Sequence, residues 1–378
     1  MKPAPAPDPM ERDACGCASP GSRRAFLASL LAAVGAACAG PGAAAQARRE
    51  RDLLAQGAAA VAGAPVVDLH AHPGAFTRIA SGGLGLDALE DMRAGGVDVA
   101  FFAAVADGPV IRREPGRIRQ FREPAPGELH RSTLGQLERV LARARGGQLD
   151  LVLSGRALAT RAAGRPPGAL LAIEGGDALE GDPGRVAAFH ALGVRSIQLV
   201  HYRINELGDI QTEPARHGGL TPAGREVIAE MNRLGMIVDA AHASPDTLRD
   251  ILAVSRHPVI VSHTGPAALR DVKRHLGDDL LRAVAARRGV VGVWPMAARP
   301  AGLGQWLDDL DHVRRVAGID HAGVGTDMAG LSTFTALPSY RGFPELPAAL
   351  LARGHAEADL RKLLGGNLRR VFEATAAS

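Results

Sequence analysis

The sequence predicts a single (β/α)8 barrel carrying a binuclear metal site at its C-terminal face, on three observations. Short apolar runs alternate with helix-like segments from Val66 almost to the end of the chain, the pattern of a parallel sheet with helical crossovers. Eight such runs can be counted, the number that closes a barrel. Five of them end on residues that bind metal or move protons: VVDLHAH on His70 and His72, LLAIEGG on Glu174, MIVDAAH on His242, PVIVSH on His263 and AGVGTD on Asp327. A parallel strand buried on both faces reads as a continuous Val/Ile/Leu/Ala run, and its C-terminal end is where a barrel presents functional groups. One histidine after one apolar run is a strand cap; five runs whose ends add up to a two-metal ligand set point to a site.

In chain order the expected strands are residues 66–70, 97–105, 169–174, 196–201, 236–242, 258–263, 290–294 and 322–327. Helical segments are expected over 84–94, 129–145, 183–192, 222–234, 245–254, 278–288 and 303–317. Two begin with strong start signals, Thr221-Pro222 and Ser244-Pro245, where a hydroxyl cap precedes a proline in the first turn. Residues 150–154 also read as a strand but end on no ligand-type residue, so this ninth run is placed outside the barrel. The stretch from Asp107 to Gly168 is too long for a plain crossover and should hold a helix plus an excursion over the barrel mouth. Within it Arg112, Arg113, Arg117, Arg119 and Arg122 alternate with Glu114, Glu123 and prolines, which reads as a solvated loop rather than a binding patch. Residues 65–376 form the barrel domain, and 46–64 a tether or short helix before it.

The N-terminus has a different character. SRRAFLA from Ser22 sets a twin arginine before an apolar stretch running to about Ala39, followed by small residues through Ala47. Residues 1–45 therefore read as a twin-arginine export signal with a cleavage site near Ala45, and the mature protein is expected in the periplasm or outside the cell. The apolar stretch is shorter than the ~20 residues a membrane span needs. Lipid attachment at Cys38 is disfavoured, because Gly35 stands where a lipoprotein signal wants leucine. All three cysteines, Cys15, Cys17 and Cys38, precede the expected cut, which removes disulfides and thiol nucleophiles from the mature chain. A net charge of +4 over 378 residues excludes a nucleic-acid surface. The expected partners are a small-molecule substrate and the export machinery, with a homodimer as candidate assembly.

The chemistry follows from the ligand set. His70 and His72 are two apart on one strand and face the same side, so both can hold one ion. Glu174 has two oxygens and can bridge a pair, while His242 and His263 supply nitrogen to the second ion. Two ions about 3.5–4 Å apart can stabilise a bridging hydroxide at neutral pH. Nitrogen and carboxylate donors without sulfur suit two zinc ions first, then manganese, cobalt or iron. Asp327 is placed to take a proton from that hydroxide and return it to a leaving amine, against the plainer reading of a turn residue. His201 ends the fourth run and can polarise a substrate carbonyl, against the reading of a supporting histidine. His190, His217, His257 and His321 lie on helices, in loops or at strand starts and are set aside.

The strings IEGGDAL from Ile173, LGVRSIQLVHYRINELGD from Leu192, GLTPAGREVIAEMNRLGMIVDAAHAS from Gly219, PVIVSHTGP from Pro258, GIDHAGVGTD from Gly318 and GGNLRRVFE from Gly365 resemble, in order and spacing, the membrane (renal) dipeptidase family of the amidohydrolase superfamily. The resemblance runs from about Val66 to Glu373. It implies a binuclear zinc site bridged by Glu174, with His242 and His263 on the second ion, and implies that His201 and Arg274 contact substrate. Arg274 stands where the family's carboxylate-binding arginine does, eleven residues after His263. The bland alternative for Arg274 is a solvated helix residue beside Arg270 and Lys273.

Two departures stand out. The family's first motif is His-x-Asp, whereas here it is His70-Ala71-His72, and after Asp327 an aromatic and a second Asp are replaced by Met328, Ala329 and Gly330. The expected activity is hydrolysis of an amide bond, most simply in a dipeptide. The same-site alternatives are an esterase, a lactonase or an N-acyl amino acid deacylase; the alternative of another class is a non-catalytic metal- or ligand-binding barrel.

Overall fold

The computed structural model describes residues 41–73, 87–162, 164–297, 302–331 and 334–375. Eight parallel strands form the barrel: β1 (Val67–Ala71), β2 (Val99–Val105), β3 (Gly168–Glu174), β4 (Val194–Gln198), β5 (Ile237–Asp239), β6 (Ile260–Thr264), β7 (Val290–Val293) and β8 (Ala322–Val324). Each pairs with its neighbour in sequence order. The ring closes beyond the strand ends, where the Asp327 amide donates to the His70 carbonyl at 2.9 Å and the His72 amide to the Met328 carbonyl at 2.8 Å. Closure and candidate site are therefore built from the same residues.

Every residue of β2, β3 and β6 is buried, which is why these segments carry no polar alternation. The two faces of β2 divide by period two. Val99, Phe101 and Ala103 pack with Val67, Leu69, Leu170 and Ile260 and with Leu368 and Phe372 of the C-terminal helix Asn367–Thr375. Ala100, Phe102 and Ala104 pack in the larger cluster under the outer helices. Cap chemistry is as the sequence indicates: the hydroxyls of Thr221 and Ser244 accept from the amides of Gly224 at 3.1 Å and Thr247 at 3.2 Å.

Several expected boundaries shift. The runs ending on His201, His242 and Asp327 stop being strand three residues earlier, at Gln198, Asp239 and Val324. The cause is local: His242 and Asp327 have φ of 65° and 50°, outside the β region, and the Asp239 carboxylate turns the chain by accepting the Ala241 amide at 3.0 Å. Asp150–Leu151 pairs with Gly168 and Ala169 off the barrel path, as a side branch. The long excursion contains a helix, Glu128–Arg145, and an antiparallel hairpin of Ile111–Glu114 and Arg117–Gln120, so the arginine stretch expected as a loop is regular structure. The expected helix at 84–94 is observed as Asp87–Gly95, with 84–86 outside the described residues, as is the segment expected to be an export signal, through residue 40. A helix covers Pro41–Val61, and the compact barrel unit spans Gln56–Ser378. After residue 317 come three helices that periodicity leaves unassigned, Glu345–Ala352, Glu357–Arg361 and Asn367–Thr375.

Glycine matters most where β7 and β8 approach β6. A Cβ on Gly292 would stand 1.9 Å from the Ser262 carbonyl oxygen, and one on Gly325 only 1.8 Å from it. Since both contacts are backbone, no rotamer change relieves them. Gly292→Ala should lower stability by about 3 kcal/mol or more in thermal or denaturant unfolding. Gly304→Ala, where a Cβ meets nothing within 4 Å, should change it little.

Candidate metal centre

The C-terminal strand ends bring seven of the predicted residues to one place. Glu174, the last residue of β3, sits at the middle. Its Oε1 lies 3.3 Å from His70 Nε2, 3.3 Å from His242 Nε2, 3.4 Å from His201 Nε2 and 3.6 Å from His263 Nε2. Its Oε2 lies 3.3 Å from His72 Nε2. The histidines form two pairs, with Nε2 atoms 3.2 Å apart for His70 and His72 and 3.0 Å apart for His242 and His263. Each pair makes with Glu174 a group of three donors within 4.8 Å, and Glu174 belongs to both. Asp327 Oδ1 is 3.2 Å from His72 Nε2.

This arrangement suits a cation on hydrogen-bonding grounds. The Nδ1 of His72 lies 3.0 Å from the Ala103 carbonyl oxygen, which can only accept, so Nδ1 carries the proton. In the neutral ring Nε2 is then a lone pair, and it faces His70 Nε2, Glu174 Oε2 and Asp327 Oδ1. A buried acceptor surrounded by acceptors is costly, and a divalent ion among them removes the conflict; without one, burial opposes a second proton on His72, but the charges of Glu174 and Asp327 outweigh it and favour that proton. The electrostatics agree. Burial, reinforced by the charge of Arg274, holds His242 and His263 well below the usual histidine range, leaving neutral nitrogens for coordination. Burial works against the charge of Glu174, but His201, His70 and His72 outweigh it and hold the carboxyl well below its ordinary range. Nitrogen and oxygen donors without thiolate fit zinc, manganese, cobalt or iron.

His201 is fixed at its other nitrogen. Nδ1 is 2.7 Å from Asp107 Oδ1, and Asp107 Oδ2 accepts the Tyr202 amide at 3.0 Å. Burial would lower the basicity of His201; the charges of Asp107 and Glu174 overcome this and push it up to about 9. Arg274 is a buried loop residue rather than a solvated helix residue. Its Nη1 donates to Gln211 Oε1 at 2.5 Å, and its guanidinium lies over the Trp294 ring at 5.2 Å. The cations beside it behave differently: Arg270 pairs with Asp309, and Lys273 reaches the Thr212 carbonyl. Of the histidines set aside, His217 holds the Asn205 carbonyl and His321 the Gly289 carbonyl.

Three carboxylates escape the sequence reading. Asp107 ends the apolar run of β2 as the clustered histidines and Glu174 end theirs, a signal present in Val105-Ala106-Asp107. Asp68 accepts from the Thr326 amide at 2.8 Å, the Thr326 hydroxyl at 2.5 Å, the Tyr340 hydroxyl at 2.6 Å and the His70 amide at 3.2 Å. It thereby fixes the β1 end against the Asp327 turn. Asp239 ties β5 to β6 by also accepting the Ser262 amide at 3.0 Å. The sign available for both is a lone Asp inside an otherwise apolar run. Gly330 completes the turn: a Cβ there would stand 2.0 Å from Asp327 Oδ1 and 2.5 Å from the His72 ring.

A cavity of about 1150 Å³ opens onto the cluster, lined by His72, Glu174, His201, His242, Arg274 and Asp327. The arginine hairpin lines the same cavity through residues 111–114 and 116–118, so its expected separation from any binding surface is corrected: tertiary placement carries it over the mouth.

The family model for membrane dipeptidase (peptidase family M19) matches residues 58–378. Among curated proteins, dipeptidase aclJ of Aspergillus oryzae is 38% identical over 212 residues, 54% of this chain and 50% of that protein. Dipeptidase tcpJ of Claviceps purpurea is 36% identical over 211 residues, 54% of this chain and 50% of that one. The chain thus spans about half the length of these curated relatives. Among solved structures, a metallopeptidase from Rhodobacter sphaeroides bound to a phosphinate mimic of the dipeptide L-Ala-D-Ala superposes with a TM-score of 0.68 at 25% identity, covering 82% of this chain and 99% of that one. An amidohydrolase from Pseudomonas aeruginosa shares the fold with a TM-score of 0.70 at 23% identity, over 87% of this chain and 99% of that one. This chain belongs to the membrane dipeptidase family.

Proposed function

We propose that the protein is an exported, metal-dependent dipeptidase with a binuclear zinc site. The observation that carries this reading is Glu174, one buried carboxylate shared by two histidine pairs. His70, His72 and Glu174 would hold the first ion and Glu174, His242 and His263 the second. Two divalent ions in these positions supply a water ionised at neutral pH and an electrophilic contact for the scissile carbonyl.

The remaining roles belong to this chain's own groups. Asp327 stands at the cluster edge and lines the cavity, so its carboxylate can take the proton of the attacking water and pass it to the leaving amine. A binding protein without chemistry has no use for this group. His201, with Nδ1 held by Asp107, turns Nε2 toward the reacting centre and donates to the carbonyl oxygen as negative charge develops there. Arg274 is buried, stacked on Trp294 and lines the cavity beside the cluster, which suits capture of a substrate's free C-terminal carboxylate. The twin-arginine segment supports export of the folded chain.

One observation favours a second substrate class at the same site. His72 is a neutral ligand where the family motif has a carboxylate, so less negative charge meets a protonated α-amine, and N-acyl amino acids become competing substrates. A hydrolysis panel of dipeptides, N-acyl amino acids and lactones on metal-reconstituted protein tests the reading: turnover of dipeptides supports it, and turnover of lactones alone rejects it.

Two variants test the assigned roles. Asp327→Asn keeps shape and removes the base, so kcat should fall by about 10² or more while metal content holds. An unchanged kcat would make Asp327 a turn residue only. Arg274→Met should weaken hydrolysis of a dipeptide far more than of the same dipeptide blocked as its C-terminal amide. Equal losses would show that Arg274 does not read the carboxylate.

A further inference from the structure

The hairpin over the mouth is rich in arginine and has Glu114 as its one acidic residue. Glu114 receives Arg119 Nε at 2.6 Å, Arg112 Nε at 3.0 Å and Arg117 Nε at 3.4 Å, so one carboxylate faces three guanidiniums. These arginines stay accessible, with side chains 40%, 55% and 57% exposed for Arg119, Arg112 and Arg117. Arg112, Arg113 and Arg117 line the same cavity as Glu174 and Asp327, and Lys273 joins them from the loop after β6. Away from the metal cluster, only Glu114 and Glu213 oppose them among the described lining residues. Arg274, buried beside the cluster, suffices for one C-terminal carboxylate, so the outer cations are surplus to a simple dipeptide. At about 1150 Å³ the cavity also exceeds the roughly 300–1,000 Å³ of most small-molecule sites, leaving room beyond two small residues.

We propose that the substrate carries a second anionic group, an acidic side chain on the dipeptide, and that Arg112, Arg117 and Lys273 at the cavity mouth select for it. This rests on the dipeptidase reading and names the substrate class within it. The cations act by raising the local concentration of an anionic substrate and by pairing with its side-chain carboxylate once the C-terminal carboxylate is held deeper in. Because the outer pairs are exposed, their effect is screened by salt.

The test uses the full-length, metal-loaded protein and compares kcat/KM for Glu-Ala with Gln-Ala and for Ala-Glu with Ala-Gln, each with L and D second residues, at low salt and at high salt. The acidic member should win by about tenfold in at least one position, the scale of two exposed ion pairs, and the preference should shrink at high salt. Arg112→Ser with Arg117→Ser should bring the acid-to-amide ratio toward one. Glu114→Gln, which removes the competing carboxylate, should raise it. A wild-type ratio near one in both positions, with the neutral dipeptides still hydrolysed, overturns this proposal and leaves the dipeptidase reading standing. A ratio unmoved by both hairpin variants overturns the assignment to the hairpin. Failure of every dipeptide overturns the parent reading and this one with it.

Discussion

The site depends on one electrostatic constraint: Glu174 is a buried carboxylate with four imidazole nitrogens within 3.6 Å of a single oxygen and a fifth at 3.3 Å from the other. Burial alone would protonate it, and a bare anion in that place would be expensive. The histidines around it let it stay charged, and their clustered nitrogens suit divalent cations. Remove the carboxylate and the two histidine pairs lose the one group common to both. Remove the histidines and the carboxylate has no reason to be ionised in the core.

The barrel supplies this constellation through its closure. The hydrogen bonds joining β8 back to β1 run through Asp327, His70, His72 and Met328, so the seam of the fold and the edge of the site are the same atoms. Asp68 reinforces the seam with the Thr326 and Tyr340 hydroxyls, and the close approach of β6, β7 and β8 is possible only because positions 292 and 325 are glycine. The left-handed backbone of His242 and Asp327 is the strain such a site stores, held in place by the packed strands beneath.

The clustering of His70, His72, Glu174, His242 and His263 and the barrel order were legible in the sequence because parallel strands buried on both faces leave long apolar runs, against which a terminal His, Glu or Asp stands out. Strand ends were less legible: in the run Met236–His242 a lone Asp239 is the one sign that the chain turns before His242. Asp107 carried the same run-end signal as the clustered histidines and Glu174 but lacked the spacing that singled them out as candidate ligands. The burial of Arg274 came from tertiary folding of its loop, where the Thr264 hydroxyl donates to the Arg274 carbonyl at 2.7 Å; neighbouring cations suggested the opposite. The arginine hairpin was least legible. Its alternation of charge with proline and glycine describes a solvated loop and a cavity wall equally well, and only the long excursion from Asp107 hinted at the mouth.

The central claim, that one carboxylate organises two ions, is tested most directly by elemental analysis of protein purified without chelator, comparing wild type with Glu174→Ala. The account predicts close to two equivalents of divalent metal per chain in the wild type and loss of most of both in the variant, with circular dichroism showing the barrel intact. A wild-type stoichiometry that stays at zero under metal supplementation, or a folded Glu174→Ala protein that keeps both equivalents, would contradict it.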